Sequence, residues 1–126
     1  MDFYRRFDYT RHVSAGDTIL IAERQGEICA ALRLAVEHGV LLLRGMRVAA
    51  EMRRQGIGAQ LLHAAAPVIG GRECFCVPLR HLVGFYGQIG FVEIEPENAP
   101  KFLRERITEY RGDLGLDVLL MRKARG

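Results

Sequence analysis

The chain has 126 residues, 49% apolar and 26% charged, which is ordinary globular usage and the size of one domain, expected to span residues 1–126. Its apolar runs, such as Ile19–Ala22, Val40–Leu43 and Val118–Met121, fall far short of the roughly 20 residues a membrane span needs, so no membrane partner is expected. Net charge is 18 − 15 = +3, but the arginines alternate with acids and form no basic run with interleaved aromatics, which argues against nucleic acid as a partner.

Residues 1–16 are a polar and aromatic lead-in, expected to hold at most a short helix. Thr18 to Glu23 is β-branched and apolar, hence a strand, and Gln25-Gly26-Glu27 turns the chain into a second strand, Ile28 to Val36. Glu37-His38-Gly39 turns it again into a third, Val40 to Val48. Three strands joined by short turns make an antiparallel meander. The period then changes. Ile57, Leu61, Ala64, Ala65 and Val68 recur on one helix face. Pro67 is expected to bend or end this helix, and Gly70-Gly71 to close it. Glu73 to Leu79 returns to a strand, Arg80 to Gly87 to a short helix, and Phe91 to Ile94 to a strand. Asn98 is placed to cap a last helix with Pro100 in its first turn, Leu103, Ile107 and Tyr110 along its apolar stripe, and Gly112 at its end. Leu116 to Lys123 is the final strand. The order βββ-α-β-α-β-α-β describes an α/β domain with a mixed, mostly antiparallel sheet flanked by helices.

The segment with the most chemical content is Met46 to Leu62, where a strand passes through Arg53-Arg54-Gln55-Gly56-Ile57-Gly58-Ala59 into a helix. A helix start carries unsatisfied N–H groups and the positive end of the macrodipole. Glycines there let an anion approach the backbone, and two arginines add bidentate donors. A P-loop would need Lys-Ser/Thr after its second glycine, where Ala59-Gln60 stands, and a dinucleotide fingerprint would need a third glycine. The competing reading is that Gly56 and Gly58 serve tight helix–sheet packing. Downstream, Phe85-Tyr86 lies on the short helix and Gly90-Phe91 leads into a strand. By themselves Phe85 and Tyr86 read more readily as core aromatics than as catalysts.

Taken together in this order, the two segments resemble the GCN5-related N-acetyltransferase (GNAT) family. Its pyrophosphate-binding turn, Arg/Gln-x-x-Gly-x-Gly/Ala, matches Arg53 to Gly58, and its Phe-Tyr-x-x-x-Gly-Phe matches Phe85 to Phe91. The strands Glu27–Leu34 and Asp117–Lys123 look like members of its sheet. The resemblance implies a GNAT-like acyl-CoA acyltransferase fold and acetyl-CoA as co-substrate, with no metal. It implies an N-acetyltransferase moving an acetyl group to a primary amine, on a small molecule or a peptide, by direct attack. The diphosphate would be bound by Arg53, Arg54 and the backbone of Gln55, Gly56, Ile57, Gly58 and Ala59. The main chain of Met46, Arg47 and Val48 would pair with pantetheine as an added strand. Tyr86 sits where the family places the general acid that protonates the leaving thiolate.

The resemblance has departures. The family opens with a strand and two helices that wall the acceptor site, but only about 16 residues precede the first clear strand here. The Asn98 to Arg111 helix, or a partner subunit of a homodimer, is expected to replace that wall. Leu79 stands where many members carry Asn. Glu23, Glu37, Glu51, His38 and His81 are candidate bases, and none is assigned. Glu37 and His38 also read as turn residues, His63 as a solvent-facing flank, and Arg104, Glu105, Arg106 and Glu109 as a solvated helix face. The alternative function is a non-catalytic acyl-CoA-binding or protein-interaction module on the same fold.

Cys74 and Cys76 share one face of a strand. A zinc site would need two further ligands, and there is no second cysteine pair, so burial is expected instead. Three cysteines do not make a disulfide framework, and Met1 to Thr10 has no apolar leader core. A cytoplasmic location is the expectation.

Overall fold

The computed structural model describes residues 7–11 and 17–126, the first group as backbone only. Among these residues, seven strands form one sheet in the order β1-β2-β3-β4-β5-β7-β6. They are β1 Phe7–Arg11, β2 Thr18–Arg24, β3 Glu27–Glu37, β4 Val40–Val48, β5 Cys74–Cys76, β6 Val92–Ile94 and β7 Leu120–Lys123. Only the β4–β5 pairing is parallel, so the sheet is mixed and mostly antiparallel as expected. Three α-helices, α1 Ile57–Ile69, α2 Val83–Gly87 and α3 Lys101–Gly112, flank it. No helix among the described residues is long and apolar enough to cross a membrane.

The two hairpins follow from turn chemistry. Gln25-Gly26 and His38-Gly39 all have positive φ (54°, 82°, 53° and 75°), the pairing that matches the twist of two-residue hairpins. Strand alternation then builds two cores. Leu41, Leu43, Cys74, Cys76, Leu119 and Met121 point to one face, under α1 with its buried Ile57, Leu61, Leu62, Ala65 and Ile69. Their neighbours Leu42, Phe75 and Leu120 point to the other, under Leu103 and Ile107 of α3. Both flanking cysteines are therefore core residues, as expected, with free thiols.

Several expectations are corrected. Within the lead-in, Phe7–Arg11 is a strand, where at most a short helix was expected. β1 pairs with β2 at the edge of the sheet, and six residues of chain separate the two strands. The expected Met1–Arg6 and His12–Gly16 portions lie outside the described residues. Pro67 does not end α1. It sits in the last turn, where its missing N–H costs one bond, and Gly70 (φ 62°) stops the helix as expected. Asn98 does not cap α3. It closes a 3₁₀ turn, Pro96–Asn98, because Pro100 forces Ala99 into extended backbone (φ −108°, ψ 159°) and postpones the helix to Lys101. Arg80 to Gly87 divides into a 3₁₀ turn, Arg80–Leu82, and α2. The expected strands Glu73–Leu79 and Leu116–Lys123 shorten to β5 and β7, joined further on by a single Leu79–Val118 bridge. Pro78, without an N–H, interrupts the ladder there.

Candidate functional site

The site begins with one glycine inside β4. Gly45 has φ 70°, and the register with β3 slips between Arg33↔Arg44 and Ala31↔Arg47. One extra residue in β4 makes a bulge that bends the strand. The consequence lies on its other edge. β4 pairs with β5 only at Leu41↔Cys74 and Leu42↔Phe75, and the two strands then part. From Arg44 to Val48 the edge of β4 that faces β5 has no strand partner among the described residues, so its peptide groups border a cleft.

The cleft has a volume of about 1120 Å³ and its far end is the start of α1. A 3₁₀ turn, Ala50–Met52, leads to Arg54 and Gly56, both in left-handed backbone (φ 69° and 78°). Gly56 is the N-cap and supplies no side-chain bond. The first helical bond is Gln60 N–H to the Gly56 carbonyl, 3.0 Å. The N–H groups of Ile57, Gly58 and Ala59 therefore have no intrahelical acceptor, and no acidic side chain lies in this first turn. The two glycines have different duties. A Cβ on Gly56 would meet open space, so its conformation is what matters. A Cβ on Gly58 would come 3.4 Å from Val48 and 3.7 Å from Phe85, so packing and anion access both apply there.

Met46, Arg47, Val48, Arg53, Arg54, Gly56, Ile57, Gly58, Ala59 and Tyr86 all line this cleft. Gln55 does not. Its amide donates to the Glu51 carbonyl at 3.3 Å and the residue is exposed. Arg53 donates Nε–H to the Val48 carbonyl at 3.2 Å, which holds its guanidinium against the end of β4. Ile57 offers only backbone, since its side chain is buried in the core.

Tyr86 stands where the cleft meets the gap between β4 and β5. Its ring is packed edge-on against Phe85 (5.1 Å between centroids, 86°) and Phe91 (6.3 Å, 84°). It is thus core in its ring and polar at its tip. Burial, with a smaller contribution from Cys76, pushes the phenol up to about 12, so it stays protonated at any ordinary pH. No described residue leaves a sealed side-chain oxygen without a partner, so the Tyr86 hydroxyl is not shut off from the cavities it lines.

Tyr86 also lines a second, smaller cavity of about 200 Å³, which the sequence did not disclose. Leu42, Leu43, Arg44 and Gly45 of β4, Cys76 of β5, Val77, Pro78, and Arg106 and Tyr110 of α3 complete it. Here the expected solvated helix face holds for the exposed Glu105 and Glu109 but is corrected for Arg104 and Arg106. Arg106 is only 23% exposed and donates to Glu37 Oε1 at 2.6 Å, while Arg44 donates to Glu37 Oε2. Arg106 also lies 5.5 Å from the Phe102 ring centroid, and Arg104 donates to the Ala99 carbonyl at 2.7 Å. Glu37 is accordingly more than a turn residue. Partial burial pushes its carboxyl up, but the two arginine bonds and charges outweigh this and hold it below its ordinary value. A carboxylate so held is a poor base. Of the other candidate bases, His81 lines the large cleft but is exposed, Glu51 is exposed, and His38 packs at a 40° tilt against Phe102 with ring centroids 4.5 Å apart. The signal that could have found the small cavity is Arg44-Gly45 interrupting an otherwise apolar strand.

Comparisons with known proteins bear on the family and the fold. A family model described as Acetyltransferase (GNAT) domain matches residues 15–93. No curated protein matches the chain by sequence. Among solved structures, an acyl-CoA N-acyltransferase from Pseudomonas aeruginosa is similar at TM-score 0.60 and 22% identity, over 86% of this chain and 68% of that one. An acetyltransferase of the GNAT family from Staphylococcus aureus Mu50 gives 0.64 and 18%, over 89% and 70%. A putative streptothricin acetyltransferase from Bacillus anthracis, solved with acetyl coenzyme A, gives 0.63 and 16%, over 90% and 65%. At these identities the likeness is one of fold.

Proposed function

The chain belongs to the GNAT acetyltransferase family, the acetyl-CoA-dependent acyltransferases, and from that premise we propose that it moves an acetyl group from acetyl-CoA to a primary amine by direct attack in the cleft between β4 and β5. The observation that carries this reading is the unpaired edge of β4 ending at the uncapped start of α1, with Tyr86 beside the gap. The residues present suit the donor: a row of peptide groups without a strand partner for an amide-bearing arm, and free N–H groups with Arg53 and Arg54 for a diphosphate. When bound, acetyl-CoA supplies an activated thioester.

The remaining work falls to the chain. The β4 edge orients the arm, and the α1 start anchors its charged end, so the acyl carbon is held near Tyr86. The amine nitrogen forms the new C–N bond as the C–S bond breaks. The nitrogen loses its surplus proton to solvent, and Tyr86 gives its phenolic proton to the departing sulfur. Direct attack is favoured over a cysteine relay. Burial pushes Cys74 up to about 12 and Cys76 well above its ordinary value, so neither is a ready thiolate.

The test is thiol release from acetyl-CoA against a broad panel of amines, beside calorimetric CoA binding. Turnover that depends on amine supports the enzyme. Binding without turnover across the panel favours the non-catalytic module, and no binding at millimolar CoA would remove the donor site.

A further inference from the structure

The small cavity lies where β4 and β5 part, opposite the donor cleft and sharing Tyr86 with it. If the acyl donor occupies the cleft, an acceptor reaching the same tyrosine from the other side must enter this space. Its wall is chemically one-sided. Arg44 and Arg106 line it, and among the described residues no aspartate or glutamate does. Glu37 sits behind the two guanidinia, accepts one bond from each, and neutralises one of the two charges, leaving 2 − 1 = +1. Each guanidinium has five N–H donors in a fixed fork, so one bond to Glu37 positions it and leaves others to point elsewhere. Phe102 lies against Arg106 and supports the same placement.

Such a wall selects by charge. A plain alkylammonium, or a polyamine, would meet an uncompensated cation in a partly desolvated space. An amine that brings its own anion would be held by charge-assisted bonds. Size points the same way. A cavity of about 200 Å³ gives the room of a small molecule.

Resting on the acetyltransferase reading above, we propose that the acceptor is a small amine bearing an anionic group, a carboxylate or a phosphate monoester, held by Arg44 and Arg106 at the face walled by α3. α3 thereby supplies from within the chain the wall that the family's opening helices would otherwise form.

The experiment measures kcat/KM for β-alanine and L-glutamate, for phosphoethanolamine, for the uncharged-tail amines propylamine and ethanolamine, and for spermidine. The proposal expects the anion-bearing amines to lead their uncharged counterparts by about 10-fold or more, with the first two arms separating carboxylate from phosphate. Arg106→Gln, and separately Arg44→Gln, should lower kcat/KM for the anion-bearing amines far more than for the uncharged ones, with the calorimetric Kd for CoA unmoved. Preference for propylamine or spermidine, or an equal loss across all amines, overturns the proposal while the acetyltransferase reading stands. If CoA binds but no amine turns over, calorimetry of L-glutamate and phosphoethanolamine on the CoA-loaded protein decides, and absence of heat at millimolar ligand overturns it. Failure of the wild type to bind CoA at all would remove the underlying reading and this one with it.

Discussion

The two cavities that meet at Tyr86 are built from different materials. The large cleft is made of main chain: a strand edge released by the Gly45 bulge, and a helix start left open by Gly56. The small cavity is made of side chains: two arginines, two tyrosines and the apolar ends of β4 and β5. Peptide groups are the same whatever the residue, so the first site tolerates change of sequence and suits a ligand common to a family. Side chains differ at every substitution, so the second site is where one chain can part from its relatives. The difference also explains why the small cavity needs Glu37 to keep its arginines in place.

The contrast can be broken at its hinge. Tyr86→Phe keeps the ring packing and removes the proton donor. It should lower kcat by about 10²- to 10⁴-fold with CoA affinity unchanged. Because burial holds the neutral phenol up to about 12, the wild-type rate should show no descending limb due to Tyr86 as pH rises through 10, and an alkaline loss centred there would point to a different acid. Next in size is the support of the small cavity. Leu103→Ala under α3 removes a fully buried side chain and should cost about 2–5 kcal/mol in denaturant unfolding. The fraction that folds should bind CoA normally but show a raised KM for the amine. Equal damage to both would mean that the two sites are not separable.

The cleft is tested more gently. Arg53→Ala with Arg54→Ala should weaken calorimetric CoA binding about 10-fold, leaving melting temperature nearly unchanged, since both residues are exposed. A smaller drop would assign more of the diphosphate affinity to the α1 amides. The smallest effect concerns Glu37. Its carboxyl is held below the ordinary value of 4.5, so its stabilising contribution is complete above that value and is lost as pH falls through the depressed one. Glu37→Gln should flatten that acid limb of the melting-temperature profile and loosen the small cavity, not the cleft.

Much of the frame was legible without coordinates. Val40–Val48 and the α1 stripe from Ile57 follow from period, and both hairpins from glycine-containing turns. β1 was not, because Phe7–Arg11 lacks clear alternation and edge strands need little of it. Asn98 misled because capping preference was weighed without the restraint that Pro100 places on Ala99. Ten of the eleven expected site residues line the cleft, and Gln55 alone turns away.

The amino-acid order alone determined the donor side of this protein, since strand, turn and helix start lie within one continuous stretch and their exposed amides follow from local backbone geometry. Only the tertiary structure decided the acceptor side. Arg106 and Glu37 are 69 positions apart, and although one hairpin brings Glu37 to Arg44, nothing local links that pair to Arg106 or Tyr86. They meet because the apolar stripe of α3 must bury itself on the second face of the sheet, and a contact produced by packing leaves no period or spacing along the chain.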